Sequence, residues 1–330
     1  MPIFLPSPAN LHPPEEAALR EALAKYPALD SSGTLHEAPQ GLSPSKVWRL
    51  MSAEGDYAVK WRPDAKHPDD RHEWIADVLH TAKRSGATWL AMPLATHQKT
   101  HSAPLAQGTI SVSPWLPGEP LCPQIGNDLQ LLAINALAKF HSLVRSQSNR
   151  MISLREAPAV AQRVEMLADA AIPALTDKGG PIMERLRSGI ESALPDARAA
   201  TGTIPDIPTT IHPVQVDARP EHFLLHDGEV TGQIDFDAMR VDTPLIDLAR
   251  LTGELAQGDA ERRTRLVQAY GDASGEQVDP RLIHGLDHSG AVLAALNWAR
   301  WLSAGARLTP AVQQRIEELL GRMGRLTTSL

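Results

Sequence analysis

The sequence predicts an α+β fold in two lobes, a small antiparallel-sheet lobe followed by a larger, mostly helical lobe. Three observations carry this. Two short β-prone runs, 47–51 and 57–61, flank the turn Glu54-Gly55-Asp56. Pro117-Gly118-Glu119-Pro120 breaks the chain sharply. Beyond it, helical spacing dominates and is interrupted by one β-type island at 222–236.

Taken in order, residues 13–26 read as a helix, with Pro13 and Pro14 tolerated in its first turn and Glu15 and Glu16 at its positive end. The hairpin over 47–61 follows. Trp74, Ile75, Val78, Leu79 and Ala82 recur at helical spacing over 70–85, and Gly86 supplies a stop. Residues 88–96 and 108–115 read as two further strands. The lobe boundary is expected at 115/116, giving 1–115 and 116–330. Residues 129–144 form a strongly amphipathic helix, with more helix around 156–172 and 181–200. The Pro-rich stretch 204–209 is expected to be non-helical. Asp227-Gly228 turns an inserted hairpin within 222–236. Helices return near 244–257, 259–271, 286–303 and 310–326, the last with Thr309 as N-cap and Pro310 in its first turn.

Composition narrows the function classes. The 330 residues are 42% hydrophobic and 22% charged, which suits a globular chain and argues against long disorder. A formal net charge of -7 leaves no broad basic field for nucleic acid or anionic lipid, so neither is an expected partner. The single cysteine, Cys122, excludes an internal disulfide and a Cys-rich zinc site. The start carries no basic n-region and is broken by Pro2, Pro6 and Pro8, and no run approaches eighteen apolar residues. A cytoplasmic location is the expectation.

The chemistry-bearing segment is 211–250. It holds Asp217, then Asp235 in Ile234-Asp235-Phe236, then Asp247 in Asp247-Leu248-Ala249-Arg250. A hairpin joins the first two, so both carboxylates can sit at neighbouring loop ends. Phosphoryl transfer needs such a pair, one to orient the nucleophile's proton and one to hold Mg²⁺ on the phosphates. It also needs a lysine on the phosphates, and Lys60 ends a predicted strand. Glu73, thirteen residues on, is a candidate partner for Lys60 or a solvated helix glutamate. Asp235 lies in an apolar run, where an unpartnered charge is costly, so a metal or hydrogen-bond role is expected. Asp247 reads as a helix cap or a loop brace, His141 as a packing histidine, and Trp298 and Trp301 as core.

The segment resembles the aminoglycoside phosphotransferase and choline kinase-like superfamily, whose fold is protein-kinase-like. That family carries H-G-D-x-x-x-x-N, a D-G hairpin, I-D-F, then D-x-x-x-D-L-A. Asp217 matches the loop aspartate and Asp235, eighteen residues later, the metal aspartate. Asp242 and Asp247, five apart where the pattern has four, are similar to the trailing pair. Ser113 to Glu119, with Trp115 at its centre, is similar to the inter-lobe hinge beside the nucleotide. Ala136 to His141 is similar to the helix that supports the catalytic loop, and Gly41-Leu42-Ser43 to the short nucleotide loop. The matches run in family order over about 40–255. The resemblance implies Asp217 as the catalytic residue, Lys60, Glu73, Gly41, Ser43 and Trp115 on the nucleotide, and Asp235 and the residue at 222 on the metal, with ATP and Mg²⁺ as cofactors and a small hydroxylated molecule as substrate. Two departures matter: Gln215 stands where the family has histidine, and His222 where it has the metal-binding asparagine. Mg²⁺ prefers oxygen ligands, so His222 reads either as a metal ligand or as a loop brace. The alternative to an active kinase is a non-catalytic nucleotide- or partner-binding module, and a weaker third reading is a phosphate-ester hydrolase.

Overall fold

The computed structural model describes residues 13–38, 45–63, 70–147, 150–168, 170, 180–306 and 308–327. The chain divides into two compact units, 1–117 with 232–237, and 118–231 with 238–330. The short segment 232–237 therefore belongs with the first unit, although sequence order places it inside the expected helical lobe.

In the first unit, α1 (Glu16–Leu23) precedes β1 (Thr34–Glu37), β2 (Lys46–Ser52), β3 (Gly55–Arg62), α2 (Asp70–Arg84), β4 (Ala103–Pro104) and β5 (Thr109–Pro114). The strands form one antiparallel sheet in the order β1-β2-β3-β5-β4. The expected hairpin is present, with Lys46 opposite Trp61 and Ser52 opposite Gly55. Successive side chains of a strand point to opposite faces. Val59 and Trp61 thus enter a core shared with Leu19, Leu23, Tyr26, Leu50, Ile110 and Val112, and Lys60 and Arg62 stand on the other face.

Residues 88–96 do not form the expected strand. A single parallel bridge pairs Leu90 with Gln233, and Pro93 has no N–H to extend a ladder. Strand β1 was not expected from the sequence.

In the second unit, β6 (Glu119–Pro120) leads into α3 (Asn127–Val144), β7 (Arg150–Ser153), α4 (Pro158–Ala168), α5 (Gly180–Gly202), β8 (Pro208–Val214), β9 (Phe223–His226), β10 (Glu229–Gln233, its last two residues counted with the first unit) and β11 (Arg240–Asp242). The helices α6 (Leu245–Ala256), α7 (Ala260–Ser274), α8 (Pro280–Ser303) and α9 (Pro310–Thr327) complete the chain. The strands form two small sheets, β10-β9-β6 and β11-β8-β7. The break at 117–120 needs its glycine: Gly118 has φ +113°, and a Cβ there would come within 2.8 Å of the Leu225 carbonyl oxygen. The main core joins α5, α8 and α9 through Leu186, Ile190, Val292, Leu296, Ile316 and Met323, all buried. Trp298 packs against that core and meets Trp301 edge-on at 5.2 Å. As expected, Thr309 caps α9, its hydroxyl accepting from the Val312 N–H. Among the described residues no helix is long and apolar enough to cross a membrane.

Candidate functional site

On the first unit the site residues gather where β3 meets 232–237. Gln233 is stitched to the preceding loop, its N–H donating to the Trp89 carbonyl at 2.8 Å and its carbonyl accepting from Ala91 at 3.2 Å. The chain then turns through Asp235, whose φ of +61° lies in the left-handed region that aspartate tolerates better than most residues. This turn brings two carboxylates to the polar face of β3. The Lys60 ammonium donates to Asp235 Oδ1 at 2.8 Å and lies 2.8 Å from Asp237 Oδ2. Arg62 grips Asp237 with two bonds, Nε to Oδ2 at 2.8 Å and Nη2 to Oδ1 at 2.6 Å, a bidentate geometry that adds orientation to charge.

The electrostatics follow from these contacts. Burial acts to lower the Lys60 pKa, but Asp237 and then Asp235 more than offset it, and the ammonium is held above its usual value. Burial acts to raise the Asp237 carboxyl, and the Arg62 guanidinium, followed by Lys60, holds it well below the usual carboxylate range. Asp237 is thus the firmly clasped acid. The Asp235 side chain remains 43% exposed, which corrects the expectation that its apolar flanks bury it; only Phe236 beside it is buried.

Glu73 does not partner Lys60. From the first turn of α2 it accepts the His101 N–H at 2.8 Å and meets His101 Nδ1 at 2.7 Å. The pairing fails because Asp235 and Asp237 already occupy the lysine, and a loop histidine satisfies the glutamate. Trp115 follows β5, with its N–H on the Asp56 carbonyl at 2.8 Å and the Arg49 guanidinium 5.1 Å from its ring centroid. Gly41 and Ser43 lie outside the described residues.

On the second unit, the loop after β8 presents Asp217, and a buried carboxylate shapes that loop. Asp247, in the first turn of α6, is fully buried. Its Oδ2 accepts the Gln215 N–H at 2.7 Å, and its Oδ1 the Val216 N–H at 2.6 Å. His141 Nε2 lies 3.1 Å from Oδ2 while its Nδ1 lies 2.8 Å from the Tyr270 hydroxyl. Burial, and secondarily Asp247, raise the Tyr270 pKa. The phenol therefore stays protonated, and the imidazole bridges it to Asp247. Asp247 is the expected loop brace, and His141 a structural histidine. The expected Gln215 departure is a buried residue whose N–H serves that brace.

Val216 has φ +71°, an outlier for a β-branched residue that costs about 1–3 kcal/mol. The Asp247 bonds hold it there. Val216→Gly is expected to leave stability unchanged or raise it by about 1 kcal/mol, because relief of strain outweighs the extra entropy of glycine in the unfolded chain. Chemical denaturation measures this; a loss of about 2 kcal/mol or more would show the Val216 side chain to be a packing element.

Asp217 is anchored from the side by Arg250, whose Nη2 lies 3.4 Å from Oδ1. Arg250 also lies 3.4 Å from Glu254 Oε1. Glu254 in turn gathers Arg315 at 2.9 Å, Arg322 at 3.1 Å and Arg219 at 3.9 Å. Burial acts to raise the Glu254 carboxyl, but Arg250, then Arg322 and Arg315, hold it far below the carboxylate range. The underlying signal is visible in the sequence: Asp247, Arg250 and Glu254 are spaced i, i+3, i+7 on one face of α6. His222 is 8% exposed, and its Nδ1 donates to the Asp217 carbonyl at 2.8 Å. The imidazole thus serves as a loop brace, one of the two roles expected of it.

The sheet-bearing first unit and the helical second unit define a kinase-like phosphotransferase fold. Residues 34–286 match the model of the phosphotransferase enzyme family, more than half of the 330 residues, and the chain belongs to that family. No curated protein matches the chain. Among solved structures it is similar to a spectinomycin phosphotransferase in complex with ADP and spectinomycin, at 15% identity and TM-score 0.69, covering 97% of this chain and 100% of that one. It is similar also to an aminoglycoside phosphotransferase from Alicyclobacillus acidocaldarius, at 14% identity and TM-score 0.61, covering 98% and 95%. A macrolide 2'-phosphotransferase from Brachybacterium faecium matches at 18% identity and TM-score 0.59, covering 93% and 98%. At these identities the likeness is one of fold.

Proposed function

We propose that this chain transfers the γ-phosphoryl group of ATP, with Mg²⁺, to a hydroxyl of a small molecule. The observation that carries the reading is Lys60, an ammonium kept charged on the polar face of β3 beside the partly exposed carboxylate of Asp235. An ammonium so held is suited to the α- and β-phosphate oxygens. Asp235 offers hard oxygen donors, which fit Mg²⁺; His222 offers nitrogen, with its Nδ1 already on the Asp217 carbonyl, and is not assigned to the metal. Mg²⁺ held by Asp235 would neutralise charge on the phosphates.

The remaining roles fall to the chain itself. Lys60 binds and orients the phosphates. Trp115, matched to the family's hinge, is assigned to the nucleotide base. Asp217, steadied by Arg250 and by the Asp247-braced loop, accepts a hydrogen bond from the acceptor hydroxyl and takes its proton as the oxygen bonds to phosphorus and ADP departs. Support for a nucleotide and a small hydroxylated substrate comes from the fold likeness to the spectinomycin enzyme, solved with ADP and spectinomycin. The second reading, a non-catalytic nucleotide-binding module, is favoured by His222 in place of an oxygen ligand.

Calorimetric titration of ATP, with and without Mg²⁺, followed by a screen of small alcohols for ADP release, tests the proposal. Lys60→Ala is expected to weaken ATP binding by about tenfold or more, the value of one charge-assisted contact. Asp235→Asn is expected to remove the gain in affinity that Mg²⁺ confers. Unchanged ATP affinity in folded Lys60→Ala would take the lysine out of the site. Nucleotide binding with no ADP release from any alcohol would favour the second reading.

A further inference from the structure

The second unit holds a cavity of about 1090 Å³, of the size that takes a small molecule. It is lined by the first residues of β8, the end of α5, and the α7–α8 connection. The loop bearing Asp217 follows the other end of β8, about 13 Å beyond Thr210, the last strand residue of the lining, at roughly 3.3 Å per residue. The cavity is therefore no part of the phosphotransfer machinery described above.

Its wall contains a cation without an adequate counter-charge. Arg263 is 4% exposed, and its Nε and Nη2 are buried without a hydrogen-bond partner. Burial, which lowers its pKa, outweighs the charges of Asp287 and Asp259; Asp287 is bonded through Oδ1 by Arg322, while its Oδ2 is buried without a partner. Beside it, His284 is 9% exposed with both ring nitrogens unpartnered. Burial, then the nearby Arg263 charge, pushes the His284 pKa down to about 4, so the ring is neutral at physiological pH and offers a donor without a second charge. The acids of the wall are engaged or directed elsewhere: Glu276 pairs with Arg145, Asp279 caps α8 at the Arg281 N–H, and the Asp196 charge acts on His288. Leaving buried guanidinium donors unmet is costly.

The rim is apolar. Met151 is 69% and Ile207 44% exposed, two of the few large hydrophobic side chains on the described surface, and Leu154 and Ile204 continue the same wall inward. We propose that this cavity is a second ligand site for a small amphipathic anion, its carboxylate or phosphate head on Arg263 and His284 and its apolar body against Met151, Leu154, Ile204 and Ile207. The anion supplies the counter-charge that Arg263 lacks, and its tail covers the exposed rim.

Titration calorimetry of the full chain with octanoate and with octyl phosphate tests this, with acetate and octanol as controls. Binding of at least one octyl anion is expected, with acetate and octanol each about tenfold weaker or more, since each lacks one half of the recognition. The head group that binds tighter identifies the source chemistry. Arg263→Gln is expected to weaken anion binding by about tenfold or more while ATP affinity stays within about twofold. Met151→Asp, at an exposed position that any side chain can occupy, is expected to weaken it several-fold, and it decides the matter if Arg263→Gln fails to fold. The proposal is overturned if neither octyl anion binds, if octanol binds as well as octanoate, or if folded variants bind the anion as the unaltered chain does.

Discussion

Asp217→Ala is expected to lower turnover by about two to four orders of magnitude, the contribution of a positioned general base, with ATP affinity unchanged. The structure gives reasons for so large a loss. The carboxylate is half-exposed and held in place by Arg250, and the loop that presents it is fixed by two backbone bonds to Asp247. Geometry of this kind is lost outright by truncation, and solvent cannot restore it. A companion variant separates loop bracing from metal binding. In His222→Ala the Asp217 carbonyl loses its ring donor, so turnover is expected to fall by about tenfold as the loop loosens, with the Mg²⁺ concentration at half-maximal rate unchanged. His222→Asn restores an oxygen and a donor amide and is expected to retain activity. Steady-state rates across a Mg²⁺ series read both. A large rise in the Mg²⁺ requirement of His222→Ala would make the imidazole a metal ligand after all, and an Asp217→Ala variant as fast as the parent would remove the proposed chemistry.

Asp247→Ala is expected to destabilise the second unit by about 3–5 kcal/mol, the range for deleting one partner of a buried charged network. Three donors converge on this fully buried carboxylate: the N–H groups of Gln215 and Val216 and the His141 ring. Each donor left unmet in a dry site costs about 1–3 kcal/mol. Release of the Val216 strain offsets part of that. Asp247→Asn is expected to fall between, because the amide keeps one acceptor but turns an NH₂ toward a donor. Chemical denaturation followed by tryptophan fluorescence measures the change. A loss below about 1 kcal/mol for Asp247→Ala would mean that water replaces the carboxylate and that the loop holds itself.

Much of the fold was legible where the signal is local. The 46–62 hairpin, α2, α3 and α9 follow from turn chemistry, apolar spacing and caps that lie within a few residues of each other. What escaped depends on distant partners. Strand β8 carries Pro208 and Pro213, which argue against a strand until β7 and β11 are known to flank it: Pro213 faces Val241, and Ser153 faces Pro208. Residues 88–96 have strand-like composition but meet only Gln233. The start of α8 at Pro280 was announced by Asp279-Pro280, a cap followed by a first-turn proline, and the spacing of apolar residues from 286 onward obscured it.

The candidate site divides in the same way. The fold class and the family follow from residues in the family's order along the chain, and the structure and the family match bear both out. Lys60, Asp217 and Asp235 came from that order, as did Trp115, and their roles stand as the proposal above. Asp237 and Arg62 carried no such signal, because their contact joins residues 175 apart. Glu73 misled for the opposite reason: a glutamate one helix beyond a lysine invites a local pairing, yet Lys60 finds its carboxylates far along the chain and Glu73 finds His101.

The assignment of 232–237 to the first unit bears on how the chain is made. A nascent polypeptide released up to residue 117 has the whole five-stranded sheet in hand, yet Lys60 and Arg62 then stand on one strand face with neither Asp235 nor Asp237 yet synthesised. At roughly 5–20 residues per second, the missing carboxylates follow about 6–24 seconds later. For that interval two like charges lie unneutralised side by side, and the sheet matures only when the ribosome has passed most of the chain. Final closure of the amino-terminal half is in this sense a late event in translation, and an excised fragment ending at 117 would never reach it.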